Sequence, residues 1–269
     1  MHKRMRVIRL YLVDYHVHTK RCGHASGEDR DYIEHAIEKG LKEIGFADHV
    51  PQLNAYPERE EDLDEYVQLI MKLKQEYKEI NIRIGLEVDY DLGHQIIEKI
   101  SCKYPWDYLL GSIHVSWVRG NNDEEVFGNY FNLVAEAAES KLFNVIAHID
   151  QVKSSFNHLP QEKMTNLYRQ LAIRLGKAEA VIELNTSGLR GTKLGKVGIY
   201  PDTQLLELCF KQGVRVTLGS DAHKPSQIGG FFDELQRLMS SVGCNQIITF
   251  EKRQPKTIEI ECNEQLSTS

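Results

Sequence analysis

Cysteine is scarce and unpatterned in this chain: Cys22, Cys102, Cys209, Cys244 and Cys262 are five scattered residues with no CxxC pair. That excludes a disulfide framework and a thiolate-rich structural zinc site, and it fits free thiols in a reducing cytoplasm. No apolar run approaches the ~20 residues needed to cross a bilayer. The basic start, MHKRMRVIR, has neither the apolar stretch nor the cleavage site of a secretory signal. Glycine and proline are not in excess, and no linker or composition break divides the chain. Neither GxGxxG nor a P-loop follows the first strand-like segment, which weakens a nucleotide-binding reading. Basic residues are outnumbered, 33 against 39 acidic, for a net charge of −6. Such a balance gives no footprint for a nucleic-acid partner, and no membrane partner is expected either.

What is present is alternation. Apolar runs such as LYLVDY, EIGFAD, INIRIGLEV, DYLLGSIHV, FNVIAHI, AVIELNT and VRVTLGS are each followed by a longer amphipathic segment. Seven strand–helix repeats with continuous apolar strands predict a parallel sheet covered by helices. Gly40, Gly176 and Gly213 fall where left-handed helix caps are wanted, and Asp62 or Asp64 is expected to open the second helix. The expectation is α/β, a distorted (β/α)7 barrel; an open doubly wound sheet is the alternative. One domain is expected, with the barrel over about residues 10–241 and a C-terminal extension over about 242–269. In that extension NQIITF and TIEIEC suggest a small strand pair, and the final QLSTS is expected to fray.

The chemistry lies in histidine. His16 and His18 (DYHVHT), His49 (FADHVP), His114 (GSIHV), His148 (IAHID) and His223 (SDAH) sit where predicted strands end, with Glu87 (GLEVDY) and Asp221. His24 (CGHASG) follows on the loop after the first strand. In a parallel barrel all strand ends open onto one face, and residues two apart on an extended strand share a side. HxH and DxH pairs can therefore each address one centre. Imidazole mixed with carboxylate is the donor set of catalytic zinc, manganese or iron, so the nine positions predict a multinuclear metalloenzyme.

These motifs, in this order and over nearly the whole length, resemble the polymerase-and-histidinol-phosphatase (PHP) superfamily. Within it the stretches HTKRCGHASG, FADHVP, GLEVDY, GSIHV, IAHIDQVK, ELNTSGLR and YPDTQLLELCFKQGVRVTLGSDAH are similar to the monofunctional histidinol-phosphate phosphatases. The segment after GSIHV, SWVRGNNDEEVF, departs from the glycine-containing aromatic loop of that family. The resemblance implies a PHP-type barrel, three divalent metal ions at the C-terminal ends of its strands, and hydrolysis of L-histidinol phosphate in histidine biosynthesis. Carried over by position, His16, His18, Glu87 and Asp221 would hold the first metal. Glu87 would bridge to a second, completed by His114 and His148, and His24, His49 and His223 would hold the third.

Such a site can lower the pKa of bound water from about 15.7 towards about 7. The expected mechanism is in-line attack by a metal-bridging hydroxide, with Glu87, Asp221 and His223 as the catalytic residues. Arg190 is the candidate phosphate clamp, because guanidinium matches phosphate oxygens bidentately. Arg119 and Lys20 are weaker cationic candidates, and Asn185 is either a substrate contact or a buried hydrogen-bonding group. Asp48, Asp89 and Asp150 are candidates to orient imidazoles. Cys22 reads as a loop residue, and His2, His35, His94 and His158 read as bystanders. Two competing readings are a PHP phosphoesterase acting on a nucleotide or another small phosphomonoester, and an inactive PHP-like binding subunit.

Overall fold

The computed structural model describes residues 6–9, 12–50, 60–156, 159–191 and 195–264. Eight short strands form a ring: β2 (Val13–Val17), β3 (Glu43–Phe46), β4 (Asn81–Ile84), β5 (Glu87–Asp89), β6 (Leu110–Ser112), β7 (Val145–Ile146), β8 (Val181–Asn185) and β9 (Arg215–Gly219). All ladders in it are parallel, in the orders β2-β3-β4 and β5-β6-β7-β8-β9. The strands are nearly all buried because helices pack outside them and side chains fill the inside.

Two seams join the two sheets into a barrel. At the first, the expected strand INIRIGLEV breaks at Gly85 and Leu86 into β4 and β5. A Cβ on Gly85 would lie 2.2 Å from the Tyr108 ring. That ring fills the interior, its hydroxyl donating to the carbonyls of Tyr15 (2.7 Å) and Phe46 (3.2 Å). The ring continues past the break because Glu87 N donates to Asp48 O (3.0 Å) and Val50 N to Glu87 O (3.1 Å). At the second seam His18 N donates to Ala222 O (2.8 Å) and Ala222 N to His16 O (3.1 Å). The buried Asp14 carboxylate secures it by accepting from Ser220 N (2.8 Å) and Gly229 N (2.9 Å).

The helices are α1 (Asp29–Glu38), α2 (Glu60–Glu76), α3 (His94–Lys103), α4 (Asp123–Glu139), α5 (Gln161–Lys177), α6 (Thr203–Lys211) and α7 (Phe232–Ser241). Helix α2 starts at Glu60, ahead of the expected Asp62 or Asp64. Helix α4 likewise starts four residues before the apolar pattern, because Asn122 caps it and Asp123, Glu124 and Glu125 fill its first turn. Gly40 (φ 74°) and Gly213 (φ 76°) take left-handed conformations as expected. Gly176 does not: α5 runs through it, and Glu179 turns left-handed instead (φ 48°). Gly176 is small for another reason, since a Cβ there would sit 2.7 Å from Cβ of Gln212.

At the opposite end from the ligands, β10 (Gln246–Glu251) and β11 (Gln254–Glu259) form an antiparallel hairpin. It is pinned beneath the barrel through Phe250 N to Tyr15 Oη (3.2 Å) and Lys252 N to the Asp107 carboxylate (3.1 Å). Strand β1 (Arg6–Arg9) pairs with β12 (Glu261–Glu264), so the TIEIEC segment is shared between β11 and β12. His2, His158 and the terminal QLSTS lie outside the described residues. Among the described residues no helix is long and apolar enough to cross a membrane.

Candidate metal centre

The nine candidate ligands come from one end of the barrel, and Glu87 stands at their centre. It opens β5, just after the strand break, rather than ending a continuous strand as expected, and it is 1% exposed. Its two oxygens face different groups. Oε2 lies 3.2 Å from His16 Nε2, 3.3 Å from His18 Nε2 and 3.2 Å from His49 Nδ1. Oε1 lies 3.1 Å from His148 Nε2 and 3.7 Å from His114 Nε2. Asp221 Oδ1 closes the first group at 3.4 Å from His18 Nε2 and 3.8 Å from His16 Nε2. On the solvent side the ring of His24 lies 5.4 Å from that of His49 and 4.7 Å from that of His223, centroid to centroid.

The backbone is bent to bring these groups in. His148 (φ 27°) and Asp221 (φ 55°) both hold left-handed conformations that ordinary side chains disfavour, strain of the kind kept at functional sites. The Arg190 guanidinium braces the second, donating to Ser220 O (2.7 Å) and Asp221 O (2.6 Å).

The imidazoles are oriented through their second nitrogens. His16 Nδ1 meets Glu183 Oε1 at 2.7 Å and His114 Nδ1 meets Asp89 Oδ1 at 2.8 Å. His18 Nδ1 meets Cys22 Sγ at 3.3 Å, His24 Nδ1 the Cys22 carbonyl at 2.9 Å, and His223 Nδ1 the Asp221 carbonyl at 2.9 Å. In each case Nε2 is left for the centre, and His18 Nε2 is buried with no hydrogen bond. A buried nitrogen lone pair aimed at carboxylates is what a cation would satisfy. The donor set, seven imidazoles with two carboxylates, fits zinc, manganese or iron.

Glu183 was missed in the sequence. It is buried in β8, and its second oxygen accepts from His148 N (3.0 Å), so one carboxylate serves two candidate ligands. The available signal was a lone acid inside the apolar run VIELN, two residues before Asn185 and hence on the same face. Asn185 serves it, donating to Glu183 Oε2 (3.0 Å) and accepting from Ser187 N (2.8 Å). Of the three aspartates expected to orient imidazoles, only Asp89 touches one. Asp150 pairs with buried Lys153 (2.9 Å) and accepts from Asp202 N (2.7 Å). Asp48 holds Thr19 and Cys22. Lys20 is committed to Glu28 at the surface (2.6 Å), and Arg119, exposed, to the Ser116 carbonyl (2.7 Å). His35 bonds the Asp31 carbonyl and His94 the Tyr90 hydroxyl, both apart from the cluster.

Electrostatics follow from this crowding. Burial opposes charge on Glu87, yet His49 and His16 outweigh it and hold the carboxyl well below the usual range. Asp221 behaves likewise beside His16 and His18. For His16 burial is outweighed by Glu183, Glu87 and Asp221, and its pKa rises well above the ordinary value. His114 rises to about 9 because its bond to Asp89 and the field of Glu87 overcome burial. His18 falls to about 3 through burial. Two ionised carboxylates and at least one neutral imidazole are thus built in.

Comparison with known proteins points to one family. The PHP domain model matches residues 14–187. The chain belongs to the PHP domain family. A probable histidinol-phosphatase of Deinococcus radiodurans is 32% identical to this PHP protein over 260 residues, 90% of this chain and 97% of the relative. The histidinol-phosphatase of Bacillus subtilis is 27% identical, over 80% of this chain and 95% of the relative. The fold matches the histidinol phosphate phosphatase of Lactococcus lactis, solved with zinc, L-histidinol and phosphate, with a TM-score of 0.74 at 22% identity. That match covers 91% of this chain and 99% of the other.

Proposed function

We propose that this PHP protein is a metal-dependent phosphomonoesterase that hydrolyses L-histidinol phosphate to L-histidinol and phosphate. The observation that carries the chemistry is the division of Glu87, with His16 and His18 on one oxygen and His148 and His114 on the other. A carboxylate so placed is built to bridge two cations. Relatives named histidinol-phosphatase, matched over most of their length, support the substrate and its place in histidine biosynthesis.

His16, His18, Glu87 and Asp221 would hold the first of three divalent ions, Glu87, His114 and His148 the second, and His24, His49 and His223 the third. Bound there, such ions activate water at neutral pH and neutralise phosphoryl oxygens. The chain's own groups do the rest. Glu87, enclosed by five imidazoles, is a scaffold and no nucleophile. The edge formed by His24, His49, His114 and His223 is the partly exposed side, so substrate enters there. Arg190 has two of its five N–H donors fixed on carbonyls, which leaves a preset guanidinium beside Asp221 for the phosphate. Asp221 and His223, 3.4 Å apart at that edge, would hold metal next to the phosphate.

A second reading, a phosphatase of another small phosphomonoester, draws on a probable phosphatase of Clostridium novyi that is 26% identical over 86% of this chain. The deciding measurement is kcat/KM of metal-loaded protein for L-histidinol phosphate against nucleotides, sugar phosphates and an aryl phosphate. A preference of several orders of magnitude for histidinol phosphate is expected. Even, weak turnover across the panel would move the substrate to the second reading, and no turnover at all would leave an inactive PHP-like subunit.

A further inference from the structure

Cys22 lies in a 3-10 turn (Lys20–Cys22) after β2, and its thiol touches both the first-strand and second-strand ligands. Its sulfur is 3.3 Å from His18 Nδ1, 2.9 Å from Asp48 Oδ1 and 3.5 Å from the main-chain nitrogen of His49. The directions of these bonds follow from proton counting. Asp48 already accepts from Thr19 N (2.5 Å) and Thr19 Oγ1 (2.6 Å), so it is a carboxylate acting only as acceptor. The bond to it must use the single thiol proton. The sulfur then accepts, from His49 N–H and from His18 Nδ1–H. That leaves the Nε2 lone pair of His18 directed at Glu87 and Asp221, where it is buried without a hydrogen bond.

The other two imidazoles with a side-chain partner use a carboxylate, Glu183 for His16 and Asp89 for His114. For His18 the carboxylate is Asp48, and the thiol carries its influence across the intervening gap.

We propose that Cys22 is a positioning residue of the metal centre, relaying Asp48 to His18 and fixing both the tautomer of His18 and the approach of the His49 segment. The inference rests on the metal reading above. It predicts that a thiol outside the ligand set controls how tightly metal is held, and that metal in turn shields the thiol.

The test uses the full chain, stripped by chelator and reloaded with Zn²⁺ or Mn²⁺, as wild type, Cys22→Ala and Cys22→Ser. Metal per chain and its dissociation constant are read by competition with a chromophoric chelator, and Cys22 alkylation by peptide mapping. Loss of a partner behind a metal-ligating histidine typically weakens metal binding by about 10- to 100-fold. That loss is expected in Cys22→Ala, with most of it recovered in Cys22→Ser, whose hydroxyl can both donate and accept. Metal loading is expected to slow alkylation of Cys22 several-fold while exposed Cys102 is unaffected. Wild-type affinity in Cys22→Ala would overturn the relay. A serine variant no better than the alanine one would do so too, assigning the sulfur to packing. Should Cys22→Ala fail to fold, unchanged alkylation of wild-type Cys22 on loading is the overturning result. A wild-type chain that takes up no metal would fail separately and earlier, at the metal reading itself.

Discussion

At the scale of single residues the centre is held by groups that the metals would never touch. Glu183 is the most demanding of them, because Oε1 accepts from His16 Nδ1 and Oε2 from His148 N and Asn185 Nδ2. Glutamine has nearly the same shape but offers one acceptor and one donor. Whichever way the amide turns, an NH₂ group would confront an N–H, and a buried donor is left unmet at a cost of about 1–3 kcal/mol. Glu183→Gln is therefore expected to lower metal affinity or turnover by about 10- to 100-fold with the fold retained. Metal analysis and circular dichroism on the purified variant check this, and wild-type metal content would show that His16 and His148 orient themselves. The same residue shows why part of the site escaped sequence reading. Histidines in HxH and DxH pairs stand out because imidazole is rare at strand ends. A lone acid inside VIELN differs from an ordinary outward-facing one only once the barrel's inside is known. Cys22 escaped for a related reason: its contacts with His18 and Asp48 join three elements that no local spacing connects.

At the scale of elements, β8 and β9 show how tightly strand pairing and the centre are joined. Thr217 pairs with Glu183 and Gly219 with Asn185 in the parallel ladder. A Cβ on Gly219 would lie 1.9 Å from Glu183 Oε1 and 2.8 Å from Cβ of His16, so glycine is there to let the Glu183–His16 pair cross the strand. Alanine at 219 must push that pair apart. Overpacking of this kind costs about 1–3 kcal/mol, and here the displaced group is the one that orients a candidate ligand. Gly219→Ala is expected to lower both the melting temperature and the bound metal, read by thermal unfolding and metal analysis. A variant that melts and loads like wild type would mean the pair has room to move. The seven repeats were legible because apolar strands and amphipathic helices alternate in type. The split of the third strand was not, since Gly85 breaks it for Tyr108, a residue more than twenty positions later. The early start of α4 lies in capping and charge, which the apolar period does not register. Gly176 was misread because a glycine near a helix end serves a cap or a close neighbour equally well until Gln212 is placed.

At the scale of the molecule, the candidate ligands flank both seams at which the barrel is joined. His16, His18, Asp221 and His223 flank the bonds between His18 N and Ala222 O and between Ala222 N and His16 O. His49 and Glu87 form the parallel bridge across the other seam, with Glu87 N on Asp48 O and Val50 N on Glu87 O. A cation shared by Glu87 and the His16–His18 pair would tie one seam to the other. Metal binding should then stabilise the barrel as a whole and hold its seams in particular. A ligand at a thousandfold excess over its dissociation constant adds about 4 kcal/mol per site, on the order of 10 °C in a chain of this size. Chelation is expected to lower the melting temperature by at least that much, and Zn²⁺ or Mn²⁺ to restore it. Native-state hydrogen exchange gives the sharper test, because local opening is read amide by amide. The amides of His18, Glu87, Val50 and Ala222 should exchange faster after chelation, while those of the β10–β11 hairpin, at the opposite end of the barrel, change less. Equal acceleration in the hairpin and at the seams would mean that the metals stabilise the barrel only globally, and that its closure rests on the strands and the Asp14 carboxylate alone.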